Sequence, residues 1–389
     1  MLKYLKFYKD RDVIIKKARD QYVWDVNDTK YLDFHTGHGV AFLGHRNPHV
    51  VNSLINQLNK IMTLSTSFRA KIREEMLELL SKIVPSEFEY VTLLNSGSEA
   101  VDFALKIARK AAGRKKIIYF HNSFHGRTFG ALSVTGNPRY RRGFEPLVPE
   151  TLSVKYNDVD GVERVVDENT AAVILELIQG EGGINIASLD FVKVIKQRCM
   201  EVGALLIIDE VQTGFGRTGK IWAFQHYNIL PDILISGKAI GGGFPVSAVF
   251  LHGFLANKLD PGDHGSTYGG NPLACAAVKA STEVLIDKNV PEQAKVKGAK
   301  LLSMLKKRLS DSRLIRDIRG LGLMIGIELR TKPQNIIRCA QDNGLLILKA
   351  GLTVARLLPP YLINDEDISW GVEVLDRCIN EELSSKITN

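Results

Sequence analysis

The chain has 389 residues, 45% hydrophobic and 24% charged, which suffices for one large core with a smaller unit beside it and excludes a disordered or low-complexity protein. No run approaches the roughly 20 apolar residues of a membrane span, and residues 1–12 alternate lysines with aromatics, so no secretory signal is read. The formal net charge of +8 is spread along the chain, without zinc-finger spacing, an aromatic–basic RNA-binding block or a basic tail; it reads as a solvated surface, with an acidic partner left open and no nucleic acid.

The first forty-odd residues hold short strand-like runs, expected to join the C-terminal part. The apolar run Tyr90–Leu94 is the first clear strand. Asn95-Ser96-Gly97-Ser98-Glu99-Ala100 follows and opens a helix with Val101, Ala104, Leu105 and Ala108 on one face. Further apolar runs lie at 116–120, 171–177, 204–208 and 233–235, and a helical pattern at 191–202 places Phe191, Val194, Ile195 and Cys199 together. Continuous apolar strands separated by helices predict an α/β fold with a mostly parallel sheet between helices. After about residue 275 the pattern changes. A helical stretch over 271–310 breaks near Pro291, and strands then alternate with helices to a last helix from Asp365. The expected division is a large domain of residues 49–275 and a small α+β domain made of 1–48 and 276–389. Cys199, Cys275, Cys339 and Cys378 form no CxxC pair and are expected to be reduced core thiols of a cytosolic protein.

Three places carry chemistry. Ser96 and Glu99 fit a capping box, yet the same helix start, with Gly97 permitting close approach, could hold a phosphate. Asp209 and Glu210 end an apolar strand, where ligands of an open parallel sheet collect; a turn or cap carboxylate is the plainer reading. Lys238 stands three residues beyond the run 233–235, before Gly241-Gly242-Gly243. It is either a surface lysine or, confined at a sheet edge, a Schiff-base nucleophile. Together they suit a ligand with a phosphate, a basic ring nitrogen and an aldehyde. No GxGxxG follows an early strand, which argues against a nucleotide-dependent dehydrogenase.

With these residues identified, the sequence strongly resembles class III pyridoxal-phosphate (PLP) aminotransferases of fold type I, acetylornithine branch. The matching segments are Ser96 to Ala100, Phe124-His125-Gly126-Arg127-Thr128, Gln179-Gly180-Glu181-Gly182-Gly183, the stretch 209–219, Ser236-Gly237-Lys238, the stretch 265–272 and Arg356-Leu357-Leu358-Pro359-Pro360. The resemblance implies PLP carried on Lys238, which also shuttles the proton. Asp209 would pair with the ring nitrogen, Gln212 lie near the phenolic oxygen and Phe124 stack on the ring. Ser96, Gly97 and Ser98 would hold the phosphate, joined by Thr267 from a partner subunit, which implies a homodimer with shared sites. Arg127, Arg356, Glu181 and Ser266 would bind substrate, with Glu181 releasing an arginine when 2-oxoglutarate replaces the amino donor.

Departures from the family pattern fall at His38 and Ala41, where Ile and Asn are usual, and at Leu177 in place of a proline. They bear on substrate rather than cofactor. The spacings His35/His38 and His45/His49 imitate metal pairs, but no metal is assigned. The branch implies transfer of the terminal amino group of a lysine or ornithine whose α-amino group is blocked, by acetyl or by a small acidic carrier protein, in lysine or arginine biosynthesis in the cytoplasm. Arg139, Arg141 and Arg142 could form part of a basic docking rim for that carrier. The alternatives are an enzyme restricted to free acetylornithine or ornithine, an aminomutase or decarboxylase sharing every cofactor residue, and, outside enzymes, a basic nucleic-acid-binding protein, against which the intact Lys238–Asp209 pair argues.

Overall fold

Apolar runs of the middle of the chain lie side by side in one sheet in the computed structural model, which describes residues 2–387. The N-terminal strands β1 (Ile15–Arg19), β2 (Tyr22–Asp25) and β3 (Lys30–Asp33) form an antiparallel ladder of their own. The large sheet is built from β4 (Tyr90–Leu94), β5 (Lys116–Phe120), β6 (Thr151–Val154) and β7 (Thr170–Leu175). A small hairpin, β8 (Ile178–Gln179) and β9 (Asn185–Ile186), interrupts before β10 (Leu205–Glu210), β11 (Ile233–Ser236) and β12 (Ser247–Leu251) complete it. The spatial order is β4-β12-β11-β10-β7-β5-β6. Every pairing is parallel except those of β12, which runs antiparallel to both β11 and β4.

The exception has a local cause. Parallel neighbours need a crossover of a dozen or more residues, and only residues 237–246 separate β11 from β12. The chain must therefore reverse at the carboxyl end of β11, and Lys238 lies in that reversal with a left-handed φ of 46°. Strands β7, β10, β11 and β12 are buried along their whole length, as a sheet covered on both faces requires. The helix Gly97–Ala112 covers one face, burying Val101, Ala104, Leu105 and Ala108 and ending at left-handed Gly113. The helix Leu189–Val202 is a crossover between β9 and β10 and buries Phe191, Ile195 and Cys199, with Val194 only partly covered.

The C-terminal part forms the antiparallel sheet of β13 (Ile315–Leu321), β14 (Met324–Leu329), β16 (Leu348–Ala350) and β17 (Val354–Leu357). The short β15 (Leu345–Leu346) leaves this sheet and pairs with β3, so the N-terminal ladder is stitched to the C-terminal part. The helical stretch expected over 271–310 is two helices, Pro272–Asp287 and Val290–Leu309. Among the described residues no helix is long and apolar enough to cross a membrane.

One expectation is corrected. Cys339 and Cys378 are not reduced thiols; they form a disulfide, with Cα atoms 5.6 Å apart, between the helices Gln334–Asp342 and Asp365–Ile387. Cys199 and Cys275 are free and buried. The pairing arises from helix packing across a separation of 39 residues, which spacing alone does not reveal. Closing such a loop restricts the unfolded chain by about 2–4 kcal/mol. Cys339→Ser is expected to lose about that much stability with unchanged turnover, and reductant should reproduce the loss in the parent but not in the variant, read from thermal and denaturant unfolding.

Candidate active site

Five parallel-running strands deliver their carboxyl ends to one place. After β4 come Asn95 to Ser98, after β5 Phe124 and His125, after β7 Glu176, at the end of β10 Asp209 and after β11 Lys238. These groups line a cavity of ≈ 370 Å³, which Glu181 and Gln212 also face. Ser96 caps the helix Gly97–Ala112 by accepting from Glu99 N at 3.3 Å, while the Glu99 carboxylate reaches back to Asn95 N at 2.9 Å, one residue earlier than a capping box. A Cβ on Gly97 would stand 3.0 Å from Val211. Ser98 Oγ accepts from Arg127 N at 3.1 Å, and Gly126, at φ 132°, leaves the space that a side chain would take from Ser98.

The adjacent carboxylates of β10 diverge because neighbouring side chains of a strand point to opposite faces. Glu210 turns into the core and accepts from Ala223 N and Phe224 N at 2.7 and 2.8 Å. Asp209 faces the cavity; its Oδ1 accepts from Val211 N at 3.0 Å and its Oδ2 lies 2.7 Å from His125 Nδ1. A carboxylate only accepts, so His125 Nδ1 carries the proton. The other ring nitrogen, Nε2, is buried without a partner. Glu176 ties two loops together, accepting from Phe124 N at 2.9 Å and from Gly180 N at 3.1 Å.

Arg356 comes from β17 and is fully buried. Its Nη1 donates to Gln212 Oε1 at 3.1 Å, and its Nη2 lies 2.7 Å from Glu181 Oε1. That second contact is a charge pair without an aligned N–H, so Nε and Nη2 remain without hydrogen-bond acceptors. Arg127 lies outside the cavity lining, 5.7 Å from the Phe124 ring, 5.0 Å from Tyr140 and 5.4 Å from Tyr8. Ser266 Oγ accepts from Asn95 Nδ2 at 3.3 Å. Thr267 is exposed and does not line the cavity of its own chain.

Arg217, one of the residues of the stretch 209–219, is buried behind this site. It donates to Leu323 O, Pro359 O and Gly39 O at 2.9, 3.0 and 3.1 Å and lies 4.2 Å over the Phe42 ring. Burial first, and then the like charge of Arg356, pulls its pKa down to about 9, so it stays charged at neutral pH.

A model of the family described as aminotransferase class-III matches residues 6–379. The chain is a class III aminotransferase. It is 56% identical over 367 residues to the [LysW]-aminoadipate semialdehyde/glutamate semialdehyde transaminase of Sulfurisphaera tokodaii, covering 94% of this chain and 95% of that protein. The acetylornithine aminotransferase of Clostridium acetobutylicum is 42% identical, with 95% and 96% covered. Among solved structures, the ornithine aminotransferase of Toxoplasma gondii superposes with a TM-score of 0.93 at 32% identity, covering 98% of this chain and 93% of that one.

Class III aminotransferases depend on PLP, and the residues of this aminotransferase fit it. The cavity is of cofactor size, a helix N-terminus faces it for a phosphate, and Asp209 is braced by His125 toward a ring nitrogen. Among the described residues Lys238 Nζ makes no hydrogen bond or ion pair. Burial lowers the Lys238 pKa, while Glu181 and Asp209 work in the opposite direction; a neutral amine is thereby more accessible than on a surface lysine. Burial works against charge on Glu181 too, but Arg356 outweighs it and holds the carboxyl below the usual range.

Several residues of the aminotransferase site were not singled out by the sequence. His125 sat inside a quoted motif without a role. Tyr8 and Tyr140 flank Arg127, and Tyr8 also meets the His38 ring at 5.2 Å; the alternating lysines and aromatics of residues 1–12 were the only signal for Tyr8. His38, pushed down to about 4 by burial and then by Arg356 and Lys238 against the pull of Glu181, is neutral at physiological pH. His45 and His49 turn to different partners, Asp33 at 2.7 Å and Glu283 at 2.6 Å, while the rings of His35 and His38 meet at 4.8 Å.

Glu176 is pushed up to about 7, by burial and then by Asp209 against the favourable charge of His125. The folded chain thus keeps a proton that the unfolded chain releases near 4.5, and stability falls as pH rises through this window. Glu176→Gln is expected to flatten that fall, leaving the share of Glu210, which is raised in the same way; unfolding of cofactor-free protein across the window reads it.

Proposed function

We propose that the enzyme moves the terminal amino group between an α-amino-blocked lysine or ornithine and 2-oxoglutarate or glutamate, the block being a carrier protein, in lysine or arginine biosynthesis. The observation that carries this reading is the Arg356–Glu181 pair in the cavity. An arginine held by a movable acid serves two substrates: paired, it presents a neutral wall to an uncharged chain end; released, it offers a planar fork to a second carboxylate. The names of the most similar relatives support the carrier-linked substrate, and the acetylornithine relative supports a second reading in which the block is acetyl.

In this reading PLP, when bound, would supply an aldehyde for amines and a ring able to absorb electrons. Lys238 would hold the cofactor and move a proton at its Nζ. Asp209, oriented by His125 and Val211 N, would pair with the ring nitrogen. Ser96, Gly97 and Ser98 would hold the phosphate, Phe124 would contact the ring, and Gln212, which accepts from Arg356 Nη1, would serve the phenolic oxygen. Arg127 binds the carboxylate at the mouth, with Ser266 near the phosphate end. Thr267, exposed and outside its own cavity, reaches the phosphate of a second subunit, so the active unit is a homodimer. A cytoplasmic site of action belongs to the same reading.

The test is a substrate panel. Purified enzyme is given LysW-linked lysine, acetyllysine, acetylornithine and free ornithine, each with 2-oxoglutarate, and glutamate is measured. The LysW-linked substrate is expected to have the lowest KM at low salt, rising as salt screens the encounter; a lower KM for acetylornithine moves the assignment to the second reading. Lys238→Ala should lose the visible absorbance of the bound cofactor and its borohydride-reducible link. Glu181→Ala is expected to slow the amino-donor half-reaction of the blocked substrate about tenfold or more and leave the 2-oxoglutarate half-reaction nearly unchanged, read by single-turnover absorbance.

A further inference from the structure

The short helix Pro138–Arg141 separates two chemically different spaces. On one side Tyr140 meets Phe124 at 5.3 Å and lies 5.0 Å from the Arg127 guanidinium, at the mouth of the active site. Arg139, Arg141 and Arg142 line a second cavity of ≈ 820 Å³, whose wall includes Tyr119 and His121 at the end of β5. Arg141 is fixed there, packed over the Tyr119 ring at 5.5 Å and donating to its hydroxyl. Arg139 and Arg142 are exposed. Among the described residues none of the three makes an ion pair. The one acid lining the cavity, Glu145, accepts from Gly143 N at 2.9 Å instead.

The basic surface continues onto the C-terminal sheet. Lys349 of β16 is held below its usual pKa first by burial and then by the like charges of Arg139 and Lys332. Among the described residues neither lysine makes an ion pair. Phe144, in the loop that carries Arg142, is 56% exposed and supplies an aromatic contact beside the charges, a combination typical of protein interfaces. The cations gather around a pocket and an aromatic, not along a groove, and three are arginines, whose fork matches carboxylates. Arg139 and Arg141 are the chain neighbours of Tyr140, which lies 5.0 Å from the Arg127 guanidinium.

We propose that this second cavity docks an acidic segment of the carrier protein that bears the substrate. The proposal rests on the carrier-linked reading above. Docking there sets the attached side chain beside Tyr140 and Arg127 and raises its local concentration at the mouth, without adding any contact to the reacting atoms.

The experiment compares parent and Arg139→Glu/Arg142→Glu holoenzymes on LysW-linked lysine and on acetyllysine with 2-oxoglutarate. Neither arginine touches the active-site cavity, so cofactor absorbance and acetyllysine turnover should be unchanged. The expected result is a loss of about tenfold or more in kcat/KM for the LysW-linked substrate alone, carried by KM and shrinking as salt rises. Equal losses on both substrates, or none on the LysW-linked one, overturn the docking site. A parent inactive on LysW-linked lysine overturns the substrate reading and the docking site with it, whereas an active parent with an unaffected variant overturns the docking site alone. A parent that shifts short duplex DNA at the same salt, lost in the variant, assigns the cavity to nucleic acid and also overturns the proposal. If the charge reversal fails to fold, Arg139→Gln/Arg142→Gln gives the same comparison with a smaller expected loss.

Discussion

The Arg217 guanidinium lies inside the protein, with no ion-pair partner among the described residues, and is satisfied by three backbone carbonyls and the face of Phe42. Burying an ion in this way is costly unless every donor is directed. The carbonyls come from three separate segments: Gly39 beside the cavity-lining Val40, Leu323 in the β13–β14 hairpin, and Pro359 just after β17. Arg217 itself belongs to the loop that follows β10. One cation therefore fixes the loop carrying Gln212 relative to the strand carrying Arg356. Without that registration the Arg356–Gln212 hydrogen bond and the Arg356–Glu181 pair would have no common frame.

Around this tie the site is a graded arrangement of buried charge. Asp209 is held by His125 on one side and a backbone N–H on the other. Glu176 is pushed up to about 7, by burial against the favourable charge of His125. Lys238 is pulled toward neutrality by burial and back toward charge by three acids, Glu181, Asp209 and Glu176. The same residue types thus have different protonation behaviour because each meets a different balance of burial and neighbours. That balance is created by strand ends brought together, not by any one motif.

Much of this was legible in the sequence. The apolar runs at 116–120 and 233–235 were visible because strands buried on both faces read as unbroken hydrophobic stretches; the edge strand Tyr90–Leu94, exposed at Tyr90, was marked instead by the polar segment that follows it. Strands β6 and β12 were not recognised. β12 follows a glycine-rich turn that reads as loop, and its antiparallel direction comes from the length of the connection, not from its own residues. Arg356, over a hundred residues from Gln212 and Glu181, could be linked to them only through family resemblance. The disulfide, the His125–Asp209 contact and the stacking of Tyr8 and Tyr140 on Arg127 depend on packing between distant segments, for which local pattern carries no signal. Thr267 illustrates a different boundary, since its place in one chain says where it is not.

The divergence of Asp209 and Glu210 makes β10 a ruler. One carboxylate must reach the cavity and the next must reach the N–H groups of Ala223 and Phe224, and both requirements are met only in the present register. Sliding the strand by a single residue would exchange them, sending the longer acid into the space meant for a cofactor and leaving two buried N–H groups facing a shorter one. The strand is hemmed in by β7 and β11 on either side, so it has no edge at which to absorb such a slip. Variation in length among proteins built on this plan should therefore collect in the loops before Leu205 and after Val211 and spare the six residues between Leu205 and Glu210.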